Sequence, residues 1–255
     1  MTWWQNLILS IIEGLTEYLP VSSTGHMMMA GEVMHLNLAD IDTYIISVQF
    51  GAILAVVAIY WRKFLNLKDY DFYLKLLVGF IPAAILGKLL DEYLEQLLQT
   101  PVIVGITLIV IGLFLLVIHR ILPGGTKETK DISYLDALVI GAAQCVAMIP
   151  GVSRSAASIS GGLGRGLSRV AATEFSFFLA VPTLSAAGIY KLYKNWDVLS
   201  QGQVQDIAIG NIMSFFTAIL AIRFFIGLVK KKGFAWFGVY RIVVGILFLG
   251  FLFLR

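Results

Sequence analysis

Charge is scarce in this chain. Asp, Glu, Lys and Arg make up 14% of its 255 residues, against 58% hydrophobic residues, and mean hydropathy is +0.85. A soluble domain carries about 25% charged residues, so a surface facing only water is excluded and lipid is the expected solvent. Cysteine is nearly missing too. The single Cys145 rules out an intramolecular disulfide framework and a cysteine metal cluster, and reads as a small residue packed in a helix. Basic residues are absent ahead of the first apolar stretch, MTWWQNLILS, and no small-residue cleavage site follows. That stretch is therefore expected to be the first structural segment, not a cleaved leader. The net charge of +3 gives no reason to expect nucleic acid, because the basic residues sit where membrane topology would put them.

What the sequence does have is long apolar runs. Pro101 to Ile118 holds 18 residues without a charge, which at ~1.5 Å per residue nearly crosses the hydrocarbon core as a helix. Six segments are expected to span: 41–61, 73–90, 101–118, 174–190, 207–229 and 234–254, the last interrupted only by Arg241. Two further regions, 1–30 and 134–168, are apolar but broken by Pro20 or Pro150 and by small polar residues. Proline removes a donor and disfavours helix at the residue before it. Broken backbone is tolerated at membrane depth only where protein or water shields it, so both regions are expected to be re-entrant helical hairpins.

Charge gives an independent check. With 119–133 placed in the cytoplasm, Arg62, Lys63, Lys68, Lys75, Arg120, Lys127, Lys130, Arg165, Arg169 and Lys230 to Lys232 fall inside. Only Lys88, Lys191, Lys194 and Arg255 fall outside, beside Glu32, Asp40, Asp42, Asp91, Glu92 and Glu95. Twelve cations against four is the bias of the positive-inside rule. The expected fold is thus all-α: six transmembrane helices plus two re-entrant hairpins in an inverted-topology repeat. Residues 1–118 form the first half, 119–133 a cytoplasmic linker and 134–255 the second half. YLPVSST laid over MIPGVSR pairs Pro20 with Pro150 and Ser23 with Ser153, and Gln49-Phe50 corresponds to Glu174-Phe175. Such repeats commonly place a binding site where their broken helices meet.

The chemistry gathers at the breaks. In EGLTEYLPVSSTGH, Glu13 and Glu17 are four residues apart and share a helix face. A carboxylate amid WWQNLILSII and YLPV needs a cation, hydrogen bonds or a proton; a wet helix end is the plainer reading. Ser22, Ser23 and Thr24 follow the proline. They could cap the next helix, while Ser23 and His26 also offer a nucleophile and a proton carrier. The second break, PGVSRSAASISGGLGRG, embeds Arg154 among Ser153, Ser155, Ser158 and several glycines. An arginine fork with amides at a helix start suits a phosphate, although Arg154 could instead pair with a buried glutamate. It is not a nucleotide loop, because it lacks a GKS or GKT terminus.

EGLTEYLPVSSTGH together with PGVSRSAASISGG resembles the undecaprenyl-diphosphate phosphatase family of the bacitracin-resistance type, and the resemblance runs through EFSFFLAVP to the final apolar segments. The family's P-G-x-S-R-S-G-x-T pattern is met except that Ala156 stands for glycine and Ser158 for threonine. The resemblance implies hydrolysis of undecaprenyl diphosphate to undecaprenyl phosphate and inorganic phosphate, which recycles the carrier for peptidoglycan and other envelope polymers and can lower bacitracin sensitivity. It implies a multi-pass protein of the bacterial cytoplasmic membrane with inverted halves, a site toward the outer face and a divalent cation, Mg2+ or Ca2+. Glu17, His26 and Arg154 would carry the core with Ser23, and Glu13 and Ser158 would support it. Arg154, Ser153, Ser155, Ser22 and Thr24 would bind phosphate, and Glu13 and Glu17 could hold the metal. Ser23, His26 or water remain as attacking groups, with Ser23 preferred. Partners would be the polyprenyl diphosphate and membrane lipid, with no nucleic acid, and a homodimer is among the assemblies the sequence permits. The alternative function is a transporter or flippase for a lipid-linked phosphate.

Overall fold

Each half of the chain opens with a short helix, a proline-containing break and a second short helix. In the computed structural model, which describes residues 1–36, 38–98, 100–194 and 201–254, the first pair is α1 (Trp3–Thr16) and α2 (Ser23–Val33). There follow α3 (Leu38–Ile59), the short α4 (Trp61–Phe64), α5 (Tyr70–Leu89), α6 (Asp91–Leu98) and α7 (Pro101–Ile121). The second half begins with α8 (Tyr134–Gln144), a 3-10 turn (Cys145–Met148) and α9 (Arg154–Gly164). It continues with α10 (Arg169–Lys194), α11 (Gln201–Lys232) and α12 (Ala235–Leu254). Asp40, Asp42, Glu92, Glu95, Lys232 and Arg255, which entered the charge balance, lie outside the residues whose side chains are described.

Among the described residues five helices are long and apolar enough to cross a membrane: α5, α7, α10, α11 and α12. The span expected at 41–61 is taken up mostly by α3, which ends at Ile59 and whose described apolar stretch is the shorter Ile46–Ile59. The chain is therefore an all-α, multi-pass membrane protein. By contrast α1 has 14 residues and α2, α8 and α9 have 11 each. At ~1.5 Å of rise per residue none of the four matches a core about 30 Å thick.

Local chemistry explains the helix ends. Pro101 opens α7 at a position where its missing N–H costs nothing, and His119 and Arg120 lie in the last turn, where cations favour the helix dipole. Ser133 caps α8 in a reciprocal pair with Asp136. Asp136 is fully buried and is held by Arg165 at 2.7 Å and Lys127 at 3.2 Å, which fastens the linker to the second half.

Packing then assembles the halves. Helix α7 lies against α12, α3 against both α10 and α11, α1 against α11, and α8 against α5. Close approach of α7 and α12 depends on glycine. A Cβ on Gly238 would lie 2.6 Å from the Gly112 carbonyl, and one on Gly245 would lie 2.9 Å from that of Gly105. Small residues let membrane helices meet through their backbones in this way. The main core brings Phe175, Phe177, Phe178, Phe225 and Phe237 together with Leu115 and with Tyr18 and Val21 of the first break.

Candidate active site

Both breaks end in the same uncommon turn. Ser22 caps α2 with φ +74°, and its Oγ accepts from Gly25 N at 3.3 Å. Ser153 caps α9 with φ +80°, and its Oγ accepts from Ala156 N at 3.3 Å. A residue other than glycine in such backbone costs on the order of 1–3 kcal/mol and tends to occur at functional sites. The matched caps set Ser22 against Ser153, one position away from the Ser23–Ser153 pairing that the sequence suggests. Each cap then sends the next residue, Ser23 or Arg154, to one carboxylate.

That carboxylate is Glu17, at the end of α1 and almost fully buried. Ser23 Oγ donates to its Oε2 at 2.5 Å. Arg154 donates to its Oε1 from both Nε and Nη2 at 3.3 Å. The guanidinium is fixed further by the Ser176 carbonyl at 2.9 Å and hydroxyl at 3.3 Å, and it lies 5.6 Å from the centre of the Tyr18 ring. So the buried-pair reading of Arg154 describes this structure, and the pair lines a cavity.

The cavity is about 530 Å³. Glu17, Ser22, Ser23, Thr24, Ser153 and Arg154 line its polar end. Its walls are largely apolar, including Ile46, Phe80, Ala84, Met148 and Leu184, and its rim carries Lys88, Asp91, Tyr190, Lys191 and Lys194. A polar headgroup can thus reach the serines and arginine while a hydrocarbon tail stays against apolar side chains.

Other expected site residues are placed differently. Glu13 lies behind Glu17, fully enclosed, with Glu17 and Gln49 as polar neighbours, and neither of its oxygens makes a hydrogen bond of normal geometry. Ser155 does not line the cavity, because its Oγ donates to the Leu19 carbonyl at 2.7 Å. Ser158 is bonded to the Arg154 carbonyl at 2.8 Å and to the Ser176 hydroxyl at 2.7 Å, which supports the start of α9. His26 is also outside the lining. Its Nδ1 bonds to the Ser22 carbonyl at 2.8 Å, its Nε2 to the Tyr240 hydroxyl at 2.7 Å, and its ring stacks on that of Tyr240.

Some participants escape sequence reasoning. Gln49, Gln144 and Thr183 add polar groups to the cavity wall, and Ser176 holds Arg154. Gln49 and Ser176 stand in motifs quoted above, but single uncharged polar residues give no signal about what they face. Arg241 interrupts an apolar run and could have been singled out as an intramembrane charge.

Fold and site together define a class: a multi-pass helical membrane protein with an acid, hydroxyl and arginine constellation divided between two broken helix pairs. The profile of the bacitracin resistance protein BacA family matches residues 6–247. The chain is 48% identical over 255 residues to an undecaprenyl-diphosphatase of Flavobacterium johnsoniae, covering 98% of this chain and 96% of that protein. It is 48% identical over 253 residues to the undecaprenyl-diphosphatase of Flavobacterium psychrophilum, covering 98% and 95% respectively. It is 42% identical over 255 residues to that of Bdellovibrio bacteriovorus, again covering 98% and 95%. The chain belongs to the BacA family.

Proposed function

We propose that this chain hydrolyses undecaprenyl diphosphate to undecaprenyl phosphate and inorganic phosphate in the bacterial cytoplasmic membrane, with its site toward the outer face. One observation carries the assignment of roles. The two oxygens of Glu17 are shared between Ser23 and Arg154 at the end of a cavity with apolar walls. Glu17 is thereby positioned as a base for Ser23, within the reach that general-base catalysis requires, and Arg154 is positioned for phosphate oxygens.

In this reading Ser23 Oγ bonds to the terminal phosphorus as the bond from that phosphorus to the bridging oxygen breaks. The Ser23 proton moves to Glu17 and then to the departing bridging oxygen, so undecaprenyl phosphate leaves. Water next attacks the phosphoserine. Its proton passes through Glu17 to Ser23 Oγ as the serine–phosphorus bond breaks and inorganic phosphate forms. Arg154 stabilises charge on the non-bridging oxygens in both steps, and Ser22, Thr24 and Ser153 offer further donors. His26, bonded to the Ser22 carbonyl and Tyr240, orients the first cap.

A divalent cation belongs to the same reading. Glu13, enclosed and without a hydrogen bond of normal geometry, and Glu17 carry the carboxylate oxygens, and Gln49 beside them an amide oxygen, of the kind that suits Mg2+ or Ca2+. Glu13 would hold the ion, assisted by Glu17 and Gln49. When bound, such an ion supplies charge neutralisation at the phosphates.

The wider architecture follows the same logic. Helix α1 packs on α11 as α8 packs on α5, while α3 meets α10 and α7 meets α12. That exchange, with the matched serine caps, supports an inverted repeat with six spans and two re-entrant hairpins. Lys88, Lys191 and Lys194, which charge balance assigns to the outer side, line the cavity rim, and this supports an outward opening. The decisive test supplies purified protein in detergent with undecaprenyl diphosphate and Mg2+ or Ca2+. Release of inorganic phosphate without any gradient is expected. Intact lipid that is only relocated, in a vesicle assay, would make the chain a flippase instead.

A further inference from the structure

Arg241 on α12 is enclosed completely, the bulkiest side chain among the described residues to be so. Among the described residues its guanidinium donates to backbone carbonyls and to no carboxylate. Nη1 reaches Pro20 O at 3.0 Å, Nη2 reaches Gly151 O at 2.5 Å and Nε reaches Leu108 O at 3.5 Å. A cation buried without an acid is costly, and a neutral side chain could fill the same space. Which carbonyls it grips explains its presence.

Pro20 stands two residues before the cap Ser22, and Gly151 stands two residues before the cap Ser153. The two carbonyls are therefore equivalent points on the two breaks. One rigid fork joins them, each just ahead of a positive-φ serine, and each serine is followed directly by a residue on Glu17. Because the guanidinium is planar, its two terminal nitrogens fix both the separation and the relative orientation of what they hold. The neighbouring Tyr240 holds His26, so consecutive residues of α12 grip the first break at two places.

We propose that Arg241 is a positioning residue that sets the nucleophile Ser23 against the phosphate-binding Arg154 by clamping both breaks. The inference rests on the phosphatase reading above and extends it to a residue that does not line the cavity. Lysine keeps the charge but cannot hold two carbonyls in one plane. Misplacement of reacting groups by about 1 Å costs on the order of 10²-fold in rate.

Arg241→Lys and Arg241→Ala are compared with the parent protein in detergent, using undecaprenyl diphosphate and reading kcat, KM and thermal unfolding. In Arg241→Lys, kcat is expected to fall about 10²-fold with KM within about threefold and the unfolding transition retained. In Arg241→Ala, added guanidinium is expected to restore turnover, while sodium at equal ionic strength does not. Arg241→Lys turning over at parental rate would overturn the proposal. So would loss of folded protein in step with loss of rate, since Arg241 would then be only a strut. Failure of the parent to release phosphate is a separate result, and it would remove the phosphatase reading itself.

Discussion

Glu17 connects the two halves through single atoms: one oxygen takes the Ser23 hydroxyl and the other takes Arg154. Removing either function should therefore be severe for rate and mild for fold. Ser23→Ala is expected to lower kcat roughly 10³-fold or more, and Glu17→Gln by about 10²–10⁴-fold, the range of a lost general base. His26→Ala removes hydrogen bonds outside the cavity. At about 1 kcal/mol for each of two bonds it should cost no more than about thirtyfold. Rapid quench with terminally labelled substrate checks the order: label should remain on Ser23, and an acid-labile adduct on His26 would reverse it. Glu13 has a different signature, because it is fully enclosed behind Glu17 with Gln49 beside it and does not line the cavity. Glu13→Gln is expected to raise the Mg2+ concentration needed for half-maximal phosphate release by about tenfold or more, in the range of lost metal-site interactions. An unchanged metal titration would place the ion elsewhere. These residue identities were legible because ionisable groups are rare in an apolar chain. Their pairings were not, since Ser23 and His26 are neighbours in sequence yet turn apart. His26 bends back to the carbonyl one turn earlier, as helical side chains tend to, while Ser23 reaches across the break.

The breaks themselves were visible as Pro20 and Pro150 within apolar runs, and both short helix pairs appear there. Their register was not visible. The caps pair Ser22 with Ser153, and this depends on backbone dihedrals that no side-chain pattern reports. At Gly151 the backbone requirement is more demanding. Its φ is +88°, its carbonyl accepts from Arg241, and a Cβ there would lie 2.0 Å from Thr107 Oγ1. Thr107 cannot simply turn away, because its hydroxyl donates to the Pro150 carbonyl at 2.6 Å. Gly151→Ala should thus destabilise by about 1–3 kcal/mol and also lower turnover, since the carbonyl it displaces orients α9. Thermal unfolding in detergent together with kcat checks both parts, and full activity with unchanged unfolding would show that the break tolerates the shift. The complementary change at Gly166, φ +78° with open space around it, should affect stability without affecting kcat. The difference between the two glycines separates backbone strain from site geometry.

At the scale of the whole molecule, the outward orientation proposed above rests on the positive-inside count and on which of the counted cations line the cavity. The crowded side of the count is made of cations that do not line the cavity, whereas Lys88, Lys191 and Lys194, three of the four on the sparse side, stand at the cavity rim. A polyprenyl diphosphate whose tail stays in lipid would then enter from the outer half of the bilayer, between apolar walls, and inorganic phosphate would leave across the rim. If so, the end of α2 should be reachable from outside and the linker from inside. Cys145, half-buried, must first be removed, and Cys145→Ala provides the background. Single cysteines are placed at the exposed Val33, at the end of α2, and at the exposed Lys130 in the linker. In intact bacterial spheroplasts a membrane-impermeant maleimide should label Val33→Cys at once and leave Lys130→Cys untouched until the membrane is permeabilised. The reverse pattern would turn the site inward, and the rim lysines would then have to be explained as exceptions to the charge rule instead of the outer edge of a substrate entrance.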